Sequence, residues 1–438
     1  MAEEKPKAQD TIPTTKAERA AKFVKTGVKL GGNYIKHYAK RLVDSSVSRE
    51  DLHRDNAEDI YETLSELKGS ALKVAQMMSM DKNMLPTAYQ EKFMMAQYSA
   101  PPLSYPLVVK TFQQFFGKAP TELFDTFTKD AVNAASIGQV HKATKGNKTF
   151  AVKVQYPGVA DSIASDLKMV RPFAVQILGL NERDLDLYMS EVQNMLIAET
   201  DYELEMKHAA HIAKACAHIP HLVFPHYYPE YTTKRILTMD WLTGKHLDEF
   251  LKDNPPQEIR NQIGQALWNF YDYQMHQMLM VHADPHPGNF LMRPDGTLGI
   301  IDFGCVKIIP PDYYKTHFRV INPRIFDDAA ALEQTFYDLG FIYEDDSPAL
   351  KKLFMETFSE MIYLTVKPFR EEKFDFGNEE YFMQLYQFGE RLSKMEELRK
   401  SKKPRGSKDA LYLNRTYFGL YTMLNRLKAN IYTHTSWQ

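Results

Sequence analysis

The period of the hydrophobic positions changes along the chain, and each change marks a segment. From Lys16 to Val43, the apolar residues Phe23, Val24, Val28, Leu30, Tyr34, Ile35 and Tyr38 are interleaved with Lys16, Arg19, Lys22, Lys25, Lys29, Lys36, Lys40 and Arg41. That spacing predicts a basic, partly amphipathic helix, broken near Gly31 and Gly32. Helical periodicity resumes from Glu58 through Met78 and again from Pro86 to Ala96. Met77, Met78, Met80, Met84, Met94 and Met95 crowd this stretch and suit irregular core gaps. The proline-containing run from Ser99 to Pro106 reads as a linker.

Beyond it the period shortens. Thr126–Val132 and Ile137–Ala143 read as strands around a small-residue turn. Lys145 to Lys148 is a hairpin turn, and Thr149–Tyr156 is a third strand. A long helical region runs from about Asp161 to His218, followed by strands at Leu222–Pro225 and Arg235–Trp241. From Gly244 the chain is mainly helical, apart from short strands at Asn289–Arg293 and Leu298–Ile301. The apolar tail Tyr417–Tyr432 reads as a core helix. The expected organisation is α+β. A polar tail and basic segment (1–50) and a helical extension (51–105) precede a sheet-bearing lobe (106–243) and a helical lobe (244–438).

Composition adds exclusions. A formal net charge of -2 over 438 residues gives no global attraction to nucleic acid. Two cysteines, Cys216 and Cys305, are too few for a disulfide framework or a zinc site. The first residues lack an apolar signal core, and no window has the ~20 apolar residues that span a bilayer. A cytoplasmic protein is expected, attached to a membrane surface at most. The basic segment offers either an anionic-lipid contact or a solvated helix face.

The strongest local signal is the run Val281 to Asn289, containing His282, Asp284, Pro285, His286, Pro287 and Gly288, followed by Asp302-Phe303-Gly304. Asp-x-x-x-x-Asn and then Asp-Phe-Gly is the spacing of a kinase catalytic loop and its metal-binding acid. A hydroxyl nucleophile needs a carboxylate to orient it, which suits Asp284. Magnesium takes hard oxygen ligands, which Asn289 and Asp302 supply. The apolar pair Ile300 and Ile301 presents Asp302 from a buried strand. A competing reading makes His282, Asp284 and His286 a metal site, although Pro285 and Pro287 make that convergence awkward.

Upstream, Thr149 to Lys153 resembles the strand whose lysine contacts nucleotide α- and β-phosphates. Before it, Asn133 to Val140 follows the register of a glycine-rich phosphate loop, yet only Gly138 and Val140 match. Asn133 and Ala135 stand where glycines would be. An alanine-rich turn still exposes N–H groups but is stiffer. A lysine near phosphates needs a carboxylate to hold it, and Glu199, Asp201 and Glu205 are all candidates.

Four segments together resemble the UbiB/AarF/ADCK-type atypical kinases, in the same order. They are Gly69 to Gln76, Ala134 to His141, Glu199 to Glu205, and His282 to Asn289 with Asp302 to Gly304. The resemblance covers roughly residues 60–310. It implies a two-lobed protein-kinase-like fold using ATP and Mg²⁺. Lys153 would be the nucleotide lysine and Glu205 its partner, beneath a loop of Ala134, Ala135, Ser136, Gly138 and Val140. Lys73 and Gln76 would belong to the family's K-x-G-Q extension, facing the E-x-D pair Glu199 and Asp201. Ala75 replaces the glycine of that extension, which makes a positive φ costly. The resemblance also implies ATPase or kinase-like activity linked to isoprenoid-quinone biosynthesis near membranes, with quinone-pathway lipids or enzymes as partners. Two other functions use similar motifs: a small-molecule phosphotransferase of the aminoglycoside or choline kinase sort, and a nucleotide-gated lipid-binding scaffold.

Overall fold

The structure is a computed structural model. It describes residues 13, 15–43, 49–67, 69, 71–73, 89, 92, 102–134, 137–178, 182–401 and 403–433. The chain forms two compact units, Met1–Met206 with His226–Trp241, and Lys207–Pro225 with Leu242–Gln438.

In the first unit, helix α1 (Lys16–Val43) is continuous, contrary to the expected break at Gly31 and Gly32. Its partner α2 (Arg49–Leu67) accounts for that. Thr26 and Thr63 hydroxyls meet at 2.5 Å, and Lys29 reaches Asp59 at 3.3 Å. Just past the glycines, Asn33 donates to Asn56 and Asp59 at 3.2 and 2.7 Å. Packing on α2 outweighs the ~1 kcal/mol helix penalty of each glycine. Helix α2 ends at Leu67, Gly69 turns left-handed at φ 69°, and helix resumes at residues 71–73, while the rest of the helix expected to Met78 lies outside the described residues. The predicted helix Pro86–Ala96 lies almost wholly outside the described residues.

The linker enters helix α3 (Tyr105–Phe116), with Pro106 in its first turn. The sheet is antiparallel, in the order β1 (Thr126–Phe127), β3 (Gly138–Lys145), β4 (Lys148–Gln155), β6 (Ile236–Asp240). The expected strand to Val132 is short. The expected turn instead contains β2 (Asn133–Ala134), which also pairs with β3. Gly146 takes φ 57° in the β3–β4 hairpin, the left-handed value that a two-residue turn requires. The single helical region expected after β4 is three helices: α4 (Val159–Leu178), α5 (Glu182–Glu199) and α6 (Tyr202–Ala215).

In the second unit, β5 (Leu222–Val223) lies parallel to β9 (Leu298–Ile300), which pairs with β8 (Phe290–Met292). A second ladder joins β7 (Met280–His282) to β10 (Val306–Ile308). Helix α7 (Gln257–Tyr273) runs through the core, burying Leu267, Trp268, Phe270 and Tyr271. The tail departs from the helix expected to Tyr432. Helix α8 (Lys408–Leu427) stops at a left-handed Lys428, φ 50°. Residues Asn430–Tyr432 form a strand whose backbone is tied by Asn261 and Gln265 of α7. No helix among the described residues is long and apolar enough to cross a membrane.

Candidate active site

Strand alternation sets the site in the first unit. Phe150, Val152 and Val154 of β4 enter a core with Val108, Phe112, Phe124, Ala143 and Ile236. Lys153 and Gln155 therefore take the opposite face. Lys153 is 7% exposed, and its Nζ donates to both Glu205 carboxylate oxygens at 3.2 Å. Glu205 sits in the first turn of α6. The Tyr202 ring lies 5.1 Å from the same ammonium. Burying both ions is costly, so each depends on the other for compensation. The arrangement holds one ammonium extended from a rigid strand.

The other two carboxylates find separate partners. Glu199 Oε1 accepts from Lys73 Nζ at 2.9 Å, with both side chains nearly buried. Asp201 Oδ1 accepts the Leu204 N–H at 3.2 Å, capping α6. Gln76 lies outside the described residues, as do Ala135 and Ser136 of the alanine-rich loop. Ala134 pairs with Gln139 and Val140 with Lys153 across the ladders. A Cβ on Gly138 would stand 2.7 Å from the Tyr202 hydroxyl and 2.8 Å from the Val154 carbonyl. Close packing alone requires that glycine.

Sequence reading missed two neighbours in this loop. Gln139 accepts the Leu103 N–H at 2.6 Å and meets His141 Nε2 at 2.9 Å. His141 Nδ1 meets the Thr128 carbonyl at 2.7 Å. Burial holds His141 below the usual histidine range. This buried polar chain fastens the linker to β3, a role no motif spacing could reveal.

In the second unit, two ladders bring the motif segments together. His282 pairs with Val306, and Phe290 with Ile300. Ala283 N–H then donates to the Cys305 carbonyl at 2.9 Å, and Ile301 N–H to the Asn289 carbonyl at 3.1 Å. His282 is fully buried. Its Nε2 lies 2.9 Å from the Asp302 carbonyl, its Nδ1 2.9 Å from the Tyr271 hydroxyl, and its N–H donates to Gln274 at 2.9 Å. A carbonyl only accepts, which assigns the proton to Nε2 and leaves Nδ1 to accept from Tyr271. Burial holds this imidazole below its ordinary range, in keeping with a neutral ring. His282 therefore pins the backbone at Asp302.

That role removes the competing metal centre of His282, Asp284 and His286. Both His282 ring nitrogens are engaged, and His286 Nδ1 accepts the Gly288 N–H at 3.1 Å. Among the described residues, no three His, Cys, Asp or Glu side chains converge as a metal site.

Asp284 and Asn289 are joined directly. Asn289 Nδ2 donates to the Asp284 carbonyl at 2.9 Å and to Asp284 Oδ2 at 3.3 Å. Both amide protons are thus used, and the Asn289 oxygen is the atom suited to a hard cation. Asp302 Oδ1 accepts the Gly304 N–H at 2.9 Å, which orients its carboxylate. Phe303 is fully buried, with ring contacts to His282 and Phe224. Two oxygen donors from these positions fit Mg²⁺, which commonly takes one or two protein oxygens and completes its shell with phosphates and water. Sequence reading also missed Arg415 of α8, whose Nη2 donates to Asp284 Oδ1 at 2.5 Å. It lies 131 residues beyond Asp284 and belongs to no motif.

Comparison with known proteins identifies the family and the fold. A family model described as the ABC1 atypical kinase-like domain matches residues 95–336. The probable serine/threonine-protein kinase abkA of Dictyostelium discoideum is 27% identical, over 96% of this chain and 78% of that protein. The mitochondrial atypical kinase COQ8B of Danio rerio is 28% identical, over 84% of this chain and 60% of its own length. The mitochondrial atypical kinase coq-8 of Caenorhabditis elegans is 25% identical, over 97% of this chain and 57% of its own length. The chain thus spans 57 to 78% of these relatives. A solved structure, the Rv3197–erythromycin complex from Mycobacterium tuberculosis, matches with a TM-score of 0.58 at 26% identity. That match covers 88% of this chain and 95% of the other. The fold is α+β and kinase-like, as expected.

Proposed function

Given that the chain belongs to the ABC1 atypical kinase-like family, we propose that it is an ATP-dependent phosphotransferase or ATPase requiring Mg²⁺. The observation that carries this reading is the Asp284–Asn289 pair, tied through the Ile301–Asn289 backbone bond to the segment bearing Asp302. Asn289 and Asp302 would hold the cation through oxygen. When bound, Mg²⁺ offsets charge on the transferring phosphoryl group. Asp284 orients the nucleophile, water or a hydroxyl. Lys153, steadied by Glu205, grips the nucleotide phosphates, with Ala134, Ala135, Ser136, Gly138 and Val140 as the nucleotide loop. Lys73, Gln76, Glu199 and Asp201 act as a regulatory extension that narrows the choice of acceptor. The Lys73–Glu199 pair at 2.9 Å supports that assignment. Replacing Asp302 with Asn is expected to lower Mg-ATP turnover by about 10³-fold. Unchanged turnover in that variant would contradict the mechanism.

The setting is a membrane surface, in support of isoprenoid-quinone biosynthesis. The quinone assignment rests on the UbiB-type resemblance and the COQ8 relatives. The membrane assignment rests on α1. Val24, Val28, Ile35 and Tyr38 form an exposed stripe, each 60–73% accessible. Exposed Lys25, Lys36 and Lys40 lie beside it on the helix. Arg19, expected in the basic face, is instead buried in a two-bond pair with Asp166. Flotation with anionic vesicles should weaken in Val28→Glu/Ile35→Glu. Equal flotation would remove the membrane assignment, and unaltered quinone content in cells lacking the protein would remove the pathway.

A further inference from the structure

Helix α8 begins 72 residues past the end of the family-model match at residue 336. It nevertheless touches the Asp284 segment at two places and strand β10 at a third. Asp409 Oδ1 accepts from Lys307 of β10 at 2.8 Å. Arg415 donates to Asp284 at 2.5 Å. Gly419 meets Pro285 so closely that a Cβ would stand 2.4 Å from the ring and 2.9 Å from the carbonyl oxygen. The Tyr412 ring adds a contact with the Lys307 ammonium, 5.2 Å from the ring centre. Positions 409, 412, 415 and 419 recur at helical spacing and define one face. The face is specific: a glycine allows close approach, and a guanidinium sits one turn before it.

We infer that Arg415 is a positioning residue for Asp284, and that α8 is thereby part of the catalytic apparatus. This inference rests on the reading of Asp284 as the group that orients the nucleophile. The Asp284 carboxylate is held from two sides, Oδ1 by Arg415 and Oδ2 by Asn289. Each carboxylate oxygen has two lone pairs. Oδ2 carries the longer 3.3 Å bond, the weaker of the two. The stronger, charge-assisted bond on Oδ1 fixes the plane of the group. Side-chain exposures of 13% and 14% for Arg415 and Asp284 mean that water screens this pair weakly. A flexible lysine would keep the charge but lose the planar fork.

The test uses the full chain with Arg415→Met and Arg415→Lys, and reads two independent quantities. The first is amide hydrogen exchange across residues 283–290, which needs no catalytic activity. Arg415→Met is expected to speed it by about tenfold or more without a matching change in the first unit. The second is steady-state Mg-ATP turnover. Here kcat is expected to fall by about 10²-fold in Arg415→Met, with KM nearly unchanged and partial recovery in Arg415→Lys. In an Asp284→Asn background, Arg415→Met should cost nothing further. Unaltered exchange, or a kcat loss that multiplies with that of Asp284→Asn, overturns the inference. If exchange responds as expected but the unmodified chain turns over no ATP, the latch stands as structure and the phosphoryl-transfer reading fails instead.

Discussion

In the first unit, buried acids and bases meet as ion pairs: Lys153 with Glu205, Lys73 with Glu199, Arg19 with Asp166. In the second, the acids of the motif loop are ordered largely by neutral groups. Asp302 receives a backbone N–H from Gly304, Asp284 receives the Asn289 amide, and neutral His282 pins the Asp302 carbonyl. Arg415 is the cation added to that set. The difference follows from the supporting elements. A strand such as β4 fixes a side chain by alternation, and a pair can then be built across to a helix. A loop has no such register, so backbone bonds and a buried imidazole must hold it. The stability of the first unit should therefore be sensitive to deletion of a charge, and that of the second to addition of one.

The largest effect expected is from Lys153→Met. It leaves Glu205 buried without its lysine, a loss of about 3–5 kcal/mol by chemical denaturation. Adding Glu205→Leu should restore much of that stability but no activity. If the single variant is as stable as the parent, the pair is not the support described. Acid supplies the complementary perturbation. Burial lowers His276 and His317, both in the second unit, from 6.5 to about 4, and His282 is lowered as well. Such groups stay neutral in the folded chain while the unfolded chain takes up protons. Their stabilisation is thus complete above pH 6.5 and is lost as pH falls toward about 4. The two rings interact and titrate together, so the loss is on the order of 3 kcal/mol for the pair. A flat stability profile between pH 7 and 5 would contradict it. The smallest effect sharpens the first unit: Gly138→Ala should cost about 1–3 kcal/mol by overpacking, in thermal melts with and without nucleotide. A loss seen only with nucleotide would show that the glycine serves phosphate approach rather than packing.

Much of the second unit's site was legible because its residues are close in sequence. Asp284, Asn289 and Asp302 fall within one loop–strand–strand segment, and their spacing alone pointed to the roles proposed for them. Lys153 was legible as the end of a strand-like run that resembles the strand carrying a nucleotide lysine. Residue types alone left its partner open, because Glu199, Asp201 and Glu205 share one run of acids; the family resemblance pointed to Glu205, and the helix start at Tyr202 distributes the three among separate tasks. Arg415, Gln139 and His141 left no local signal, since each acts on a segment paired through tertiary packing. Gly31 and Gly32 misled for the same reason: local propensity favoured a break that the α1–α2 contacts overrule. The strand at Asn430–Tyr432 was hidden because its hydrogen-bond partners lie in Lys373–Asp375 and α7.

The most direct test of the central claim is ATP binding measured by titration calorimetry with and without Mg²⁺, in the unmodified chain and in Asp302→Asn. The account predicts that Mg²⁺ tightens binding to the unmodified chain and that Asp302→Asn abolishes the enhancement while still binding the nucleotide. An undiminished Mg²⁺ enhancement in Asp302→Asn would contradict it.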